Sequence, residues 1–168
     1  GMDVLMNRDL SEEVSRFEAY QAFTNCYREK FPDYTDIQFP KKTPARALQM
    51  FDAYCSWYAE GDTKWETLFT EVAGTVPVSL EGDRLTFRID AIRRNLETGK
   101  VWVFEHKTAG QAGRAWQDQW YLSVQVGVYT HVLHCLFCSE EVGGVLINCL
   151  IFMPKNIDFE RVIVSRNL

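Results

Sequence analysis

Two strand-like segments joined by a short turn constrain the fold more than any other feature of this sequence. RLTFRIDAIRR (84–94) and KVWVFEHKT (100–108) are both rich in β-branched and aromatic residues, which favour strands. Between them, NLETGK (95–100) contains Gly99 and is typical of a turn. We therefore predict a β-hairpin over residues 84–108.

The hairpin carries charged residues at spacings that bring them together. We expect Arg94 to lie opposite Val101 across the turn. In this register Asp90 lies opposite Glu105, and directly opposed residues project from the same face of a sheet. Lys107 projects from that face too, because side chains alternate along a strand. The pattern therefore predicts two carboxylates and an ammonium group close together, and a shift of two residues in the register would keep them so.

A divalent cation would explain why acidic residues gather here. Glu71 interrupts an apolar run in the preceding strand-like segment and can join Asp90 and Glu105. Three carboxylates this close repel one another unless a positive charge lies among them. Mg²⁺ and Mn²⁺ prefer carboxylate and water oxygens, and Lys107 could then hold an attacking water or phosphoryl oxygens. The alternative is a cross-strand salt bridge on an exposed sheet face, without a chemical role.

The rest of the chain alternates between helical and strand patterns. Outside the hairpin we predict helices over Asp9–Phe31, Pro44–Gly61 and Arg114–Cys138, and strands over Thr67–Leu80, Gly143–Pro154 and Phe159–Ser165. This order favours an α/β fold with a mixed central β-sheet flanked by helices over a doubly wound parallel sheet. The 168 residues suit a single domain, with residues 1–66 as an N-terminal helical extension packed on a core of residues 67–168.

Composition narrows the class of protein. The chain is 46% hydrophobic and 24% charged, which excludes a largely disordered protein. Its net charge of −5 gives no overall electrostatic footprint for nucleic acid, although a local basic groove is compatible with it. No apolar run reaches the roughly 18 residues that span a bilayer, and no signal peptide is evident. We therefore expect a cytoplasmic protein that does not associate with membranes.

A helical segment downstream of the hairpin carries a second signal. Gln125 and Tyr129, in QVGVY, lie on one helix face at i and i+4. The elements that precede them are, in order, Glu71 in TEVAG, Asp90 in FRIDAI, and Glu105 and Lys107 in FEHKT. This ordered set resembles the PD-(D/E)xK nuclease superfamily, in particular the branch that contains the nuclease modules of RecB and AddB and the CRISPR-associated single-strand exonucleases. The resemblance covers about residues 67–168.

The resemblance implies a restriction-endonuclease-like core and a deoxyribonuclease that hydrolyses DNA phosphodiester bonds with Mg²⁺ or Mn²⁺. The implied metal ligands are Glu71, Asp90, Glu105 and the backbone carbonyl of His106. Asp90, Glu105 and Lys107 would be the catalytic residues, and Lys107 would position the attacking water. Gln125 and Tyr129 would contact DNA or support the site. Phe87 stands where the family often has glycine, so we expect a different backbone approach there.

Further residues could serve such a site or have only structural roles. Trp116 and Trp120 could stack unpaired bases or belong to the core, and Arg88 could contribute to a phosphate-binding rim or to a solvated hairpin end. On strand alternation the His106 side chain points away from the charged cluster. The cysteines do not match the family's iron–sulfur pattern, so we expect no such cluster. We interpret them as mostly buried, small apolar residues: Cys26, Cys55, Cys135, Cys138 and Cys149.

Two functional hypotheses follow. The first is a DNA exonuclease of DNA repair, recombination or phage and mobile-element DNA processing, which acts on single strands or duplex ends and could require a helicase or recombination partner. The second is a catalytically silent module on the same fold that binds nucleic acid or a protein. The sequence does not distinguish an exonuclease from an endonuclease, or DNA from RNA as the substrate. The strand polarity of cleavage and the oligomeric state also stay open.

Overall fold

The computed structural model describes residues 12–153 and 156–165, except for the side chains of residues 12 and 13. Contacts divide the chain into two compact units: Gly1–Ala59 with Phe152–Ile157, and Glu60–Ile151 with Asp158–Leu168. The predicted packing of residues 1–66 on the core as one domain stays a prediction. None of the described helices is long and apolar enough to cross a membrane.

The N-terminal part of the chain is helical. From residue 12, where the described part of the chain begins, it forms three helices: α1 (Glu12–Lys30), α2 (Thr35–Gln38) and α3 (Pro44–Asp62). Proline begins α3, where its fixed φ suits the first helical turn. Phe23 of α1 meets Phe51 of α3 edge to face, with ring centroids 6.3 Å apart, so aromatic contacts join the two long helices. Both helices were predicted from the sequence, while the predicted start of the first at Asp9 lies outside the described residues.

Within the described ranges, five strands form one mixed sheet in the order β1-β2-β3-β4-β5. They are β1 (Trp65–Pro77), β2 (Arg84–Asn95), β3 (Val101–Ala109), β4 (Val142–Phe152) and β5 (Ile157–Val164). The pairs β1–β2 and β2–β3 are antiparallel, as short turns require, whereas β3 and β4 are parallel and need a longer crossover. The predicted α/β fold with a mixed central sheet, compatible with a restriction-endonuclease-like core, is confirmed.

The crossover from β3 to β4 differs from the prediction of one continuous helix. It contains α4 (Arg114–Asp118), a 3₁₀ turn (Gln119–Leu122) and α5 (Val124–Leu136). Ser123 separates the last two because its backbone is extended, with φ −64° and ψ 128°, as is usual for the residue that begins a helix. The apolar residues continue across this break, so the periodicity of the sequence did not indicate it.

Helix α5 covers the sheet with its apolar face. Val126, Val132 and Leu133 are fully buried and belong to one core cluster with sheet residues such as Val103 and Ile147. These β-branched and leucine side chains fill the space between the helix and the pleated surface. The packing sets the rotation of α5 about its axis. This rotation determines which polar residues of α5 face β2 and β3.

Phe87, the residue that departs from the family pattern, is part of the same core. It lies opposite Gly74 of β1, and a Cβ atom on Gly74 would stand 3.2 Å from Cζ of the Phe87 ring. The ring therefore covers the glycine across the strand pair. The glycine that allows this close contact is therefore Gly74 on β1, and Phe87 lies opposite it on β2.

Candidate active site

The register of the β2–β3 hairpin brings the predicted acidic residues side by side. Arg94 lies opposite Val101, as predicted, and the paired residues continue to Ala91 and Phe104. Asp90 and Glu105 are the next residues along the two strands. There the backbone N–H of His106 donates a hydrogen bond of 2.8 Å to Oδ2 of Asp90. The Asp90 carboxylate is therefore anchored to the backbone of β3 directly after Glu105.

Glu105 is the centre of the site. Its side chain is only 6% exposed, and a buried carboxylate needs hydrogen-bond donors around it. Lys107 Nζ lies 2.5 Å from Oε1, and Gln125 Nε2 donates to the same oxygen at 2.9 Å. Tyr129 Oη lies 3.0 Å from Oε2. Both carboxylate oxygens of Glu105 are thus held by protein groups, and the ammonium of Lys107 supplies the compensating charge.

Gln125 and Tyr129 reach the site from adjacent turns of α5. The Gln125 amide also donates to the Tyr129 hydroxyl at 2.8 Å, as the i, i+4 spacing allows. The hydroxyl lies 2.9 Å from the carbonyl oxygen of Arg88, so Tyr129 links β2, β3 and α5. Burial is the largest cause that raises the pKa of Tyr129 to about 12, with a further contribution from the charge of Glu105. Tyr129 is therefore a protonated donor at neutral pH.

Glu71 occupies the expected position in β1 but bonds to a different partner. Its neighbours Thr70 and Val72 lie opposite Ala91 and Ile89, which places Glu71 opposite Asp90 in the register. Its side chain pairs with Arg88, whose Nε lies 3.0 Å and Nη2 2.5 Å from Oε2 of Glu71.

The backbone of Glu71 is strained. Its φ of +50° lies in the left-handed region, which costs a residue with a side chain roughly 1–2 kcal/mol. Strained residues of this kind occur preferentially at functional sites. The hydrogen bonds from Arg88 raise the pKa of that guanidinium, with the charge of Asp90 adding in the same direction. The pair of Glu71 and Arg88 therefore forms the exposed border of the site next to Asp90.

Two tryptophans form another border of the site. Trp116 and Trp120 meet edge to face with ring centroids 5.5 Å apart, and both pack against the core cluster. Lys107 Nζ lies 5.8 Å from the centre of the Trp120 ring, within the range of a cation–π interaction. Trp120 therefore gives the Lys107 ammonium a second contact besides Glu105. Stacking of unpaired bases on these tryptophans, the alternative that the sequence left open, stays a hypothesis.

The donor set fits Mg²⁺ or Mn²⁺ through two carboxylates. Oδ1 of Asp90 has no hydrogen-bond partner among the described residues, and it lies on the carboxylate next to Glu105. Mg²⁺ commonly binds proteins through one or two carboxylates and completes its shell with water and substrate phosphates. In the described part of the chain, no three His, Cys, Asp or Glu side chains are grouped in a way that could hold a metal ion. The roles of Glu71 and of the His106 carbonyl as metal ligands stay predictions.

The histidine and cysteine side chains lie away from this site. The His106 ring projects from the other side of β3, where its Nδ1 lies 2.9 Å from the Asn148 amide nitrogen. Cys149 is buried and Cys55 is half-buried, whereas three cysteines are exposed: Cys26, Cys135 and Cys138. The interpretation of the cysteines as mostly buried is therefore wrong for these three. Cys135 lies in the last turn of α5, and Cys138 follows the end of this helix.

Sequence reasoning missed Asn148 as a partner of His106. The signal was a polar residue in the apolar run GGVLINCLIF, where a buried amide requires hydrogen-bond partners. Its partner could not be named, because the β3–β4 pairing joins residues far apart in sequence.

No protein-family model matches this chain, and no similar protein was found among curated proteins. A solved structure described as "Crystal structure of SSO0001" matches 86% of this chain with 17% sequence identity and a TM-score of 0.36. This chain spans 63% of that protein's chain. At this TM-score the similarity carries no argument about fold or function.

Proposed function

We propose that this protein is a metal-dependent deoxyribonuclease that hydrolyses DNA phosphodiester bonds with Mg²⁺ or Mn²⁺. One observation carries the proposal. Glu105, Lys107, Gln125 and Tyr129 are joined by hydrogen bonds at the place where Asp90 is anchored beside Glu105. The same residues, in the same order along the chain, carry the resemblance to PD-(D/E)xK nucleases.

The carboxylates would bind the metal ion in a fixed orientation. The His106 N–H orients Asp90 through Oδ2, which leaves Oδ1 available for a ligand. Gln125 and Tyr129 hold Glu105 from the side of α5. When bound, the metal ion would lower the pKa of a coordinated water and neutralise charge that develops on the phosphate.

Lys107 would stabilise negative charge on the reacting phosphate. Its side chain is 31% exposed, so the ammonium can meet a substrate while it remains close to Glu105. An ammonium group preorganised in this way stabilises a developing oxyanion and can hold the attacking water by a hydrogen bond. Trp120 limits the positions that the ammonium can adopt. A simple exposed salt bridge explains this arrangement less well, because Glu105 is buried and bonded to three donors.

The proposed biological setting rests on the resemblance. It is exonuclease action on single strands or duplex ends in DNA repair, recombination or mobile-element processing, with a helicase or recombination partner. The alternative function is a silent module that binds nucleic acid or a protein on the same fold.

The decisive experiment is digestion of linear single-stranded and duplex DNA with Mg²⁺ or Mn²⁺. Wild type should degrade at least one substrate, and Lys107→Ala should lower the rate on the order of 10²-fold or more. Lys100→Ala is the matched control because Lys100 lies in the hairpin turn outside the site, where its ammonium lies near the carbonyls of Glu140 and Val142. It should keep the wild-type rate.

Three results separate the hypotheses. Equal inactivity of wild type and Lys107→Ala on every substrate refutes the nuclease. Calorimetric titration with Mn²⁺ then tests the alternative: DNA binding without Mn²⁺ binding supports the silent module. Closed circular DNA as a further substrate distinguishes the two kinds of nuclease, since an exonuclease requires an end.

A further inference from the structure

A chain of polar side chains crosses the side of the sheet opposite the candidate active site. Asp62, at the end of α3, accepts a hydrogen bond of 2.9 Å from Nη2 of Arg161 on β5. Nε of Arg161 donates to Oδ1 of Asn148 on β4 at 3.1 Å. The amide nitrogen of Asn148 lies 2.9 Å from Nδ1 of His106 on β3. Arg93 adds a second guanidinium near Asp62, at 3.8 Å, and lies over the Phe104 ring.

The direction of every hydrogen bond in this chain is determined. A guanidinium can only donate, so Oδ1 of Asn148 must be the acceptor toward Arg161. The Nδ2 group of Asn148 therefore faces His106 and donates to Nδ1 of the ring. The His106 proton must then lie on Nε2. Asn148 is fully buried, so it cannot exchange these partners for water.

The position of the His106 ring is not explained by stability alone. Its Nε2 is inaccessible and has no hydrogen-bond partner among the described residues. A buried N–H without an acceptor lowers stability, because it loses its hydrogen bond to water without gaining another. A buried polar group without a partner is expected where a functional site fixes the position of the residue that carries it.

The same residue joins this polar chain to the candidate active site. The side chain of His106 is bound by Asn148 on one side of β3, while its backbone N–H donates to Asp90. His106 and Asn148 are also direct partners in the parallel β3–β4 pairing. Anchoring the ring restricts rotation of the peptide between Glu105 and His106, and this peptide carries the N–H that orients Asp90.

We propose that Asn148 and the imidazole of His106 are positioning residues for the Asp90 carboxylate, with Arg161 and Asp62 as their anchor. The metal-binding part of this inference rests on the proposed nuclease function. The anchoring of the peptide does not rest on it and can be measured in the metal-free protein.

The first test measures amide hydrogen exchange in metal-free Asn148→Ala, which removes the donor to His106 without adding bulk. The amide of residue 106 should exchange roughly fivefold faster or more relative to that of Phe104 in the same strand. Val145→Ala is the matched control, because Val145 is a buried residue of the same β4 strand that pairs with Val103. It should leave the ratio of the two exchange rates unchanged. An unchanged ratio in Asn148→Ala, or the same increase in Val145→Ala, overturns the proposal.

The second test measures Mn²⁺ affinity by calorimetry and the Mn²⁺ dependence of DNA cleavage. His106→Leu, which lacks an acceptor for Asn148, should weaken Mn²⁺ binding roughly 10–100-fold, as for other residues that orient metal ligands. His106→Asn offers an amide oxygen near the Nδ1 position and should restore most of the affinity. The Mn²⁺ concentration that gives half-maximal cleavage should rise by a large factor. The cleavage rate at saturating Mn²⁺ should fall by a smaller factor. Should His106→Leu fail to fold, Asn148→Ala provides the same comparison.

The two tests separate the two proposals. A wild-type protein that binds Mn²⁺ and cuts DNA, with folded variants that bind Mn²⁺ equally well, refutes the positioning role and leaves the nuclease intact. A wild-type protein that neither binds Mn²⁺ nor cuts DNA refutes the nuclease, while faster exchange at residue 106 in Asn148→Ala would still support the anchoring of the peptide.

Discussion

Lowering the pH should destabilise the folded protein through His106. Burial is the largest cause that lowers the pKa of its imidazole from 6.5 to about 4. The charges of Arg93 and Arg161 act in the same direction, whereas those of Glu105 and Asp62 oppose them. In the unfolded chain the imidazole has its ordinary pKa. Between pH 6.5 and about 4, the unfolded state therefore binds more protons than the folded state.

The free energy of unfolding must fall as the pH drops through this window. Above pH 6.5 the imidazole is neutral in both states, and its contribution to stability is fully present. Below about pH 4 it is protonated in both states, and this group causes no further loss. The interval from 6.5 to about 4 is about 2.5 pH units, and at about 1.4 kcal/mol per unit the full interval corresponds to roughly 3–4 kcal/mol.

Urea denaturation followed by tryptophan fluorescence measures this effect from about pH 7.5 to about pH 4. Carboxylates also titrate in this range, so the informative quantity is the difference between wild type and His106→Asn, which lacks the imidazole. The advantage of the wild type should shrink by about 3 kcal/mol on acidification. His134→Gln removes an imidazole outside the polar chain and should keep the wild-type decline. Parallel curves for wild type and His106→Asn would refute the burial of a neutral imidazole.

Two further predictions test the site and the sheet. Tyr129→Phe removes a hydroxyl that contacts Glu105 and the Arg88 carbonyl, and should lower the free energy of unfolding by about 1–3 kcal/mol together with the cleavage rate. Urea denaturation and DNA digestion measure the two effects, with the exposed Tyr34→Phe as a control, and a variant with full stability and activity would contradict the assigned contacts. Gly144→Ala should destabilise the protein by roughly 1–3 kcal/mol, because φ at Gly144 is +141° and the new Cβ would stand 2.4 Å from the carbonyl oxygen of Val164. Thermal unfolding measures this loss of stability, with Gly113→Ala as the control because a Cβ there meets nothing within 4 Å. Equal melting temperatures of the two variants would argue against the close approach at Gly144.

The β2–β3 hairpin and its charged residues were predictable because the determinants are local. A short turn sets the register, and strand alternation then determines which side chains share a face. This reasoning was sufficient for the pairing of Arg94 with Val101 and for the projection of the His106 ring away from Glu105. The i, i+4 spacing likewise placed Gln125 beside Tyr129.

Other features of the site depended on choices that the sequence does not encode locally. Glu71 lies where expected along β1, yet its left-handed backbone and the nearby Arg88 guanidinium determine its partner. The break at Ser123 was hidden by an apolar pattern that continues through it. The exposure of Cys135 and Cys138 was hidden by the apolar residues that surround them in the sequence.

Periodicity, turn chemistry and the order of acidic, basic and amide residues thus determined the elements, the mixed α/β class and the identity of the clustered residues. Only the tertiary structure decided which donors bind Glu105 and that His106 is bound by Asn148. The physical reason is the range of the interactions. Alternation and i, i+4 spacing act over a few residues, whereas the contacts of α5 and the parallel β3–β4 pairing require the crossover to close and the core to pack.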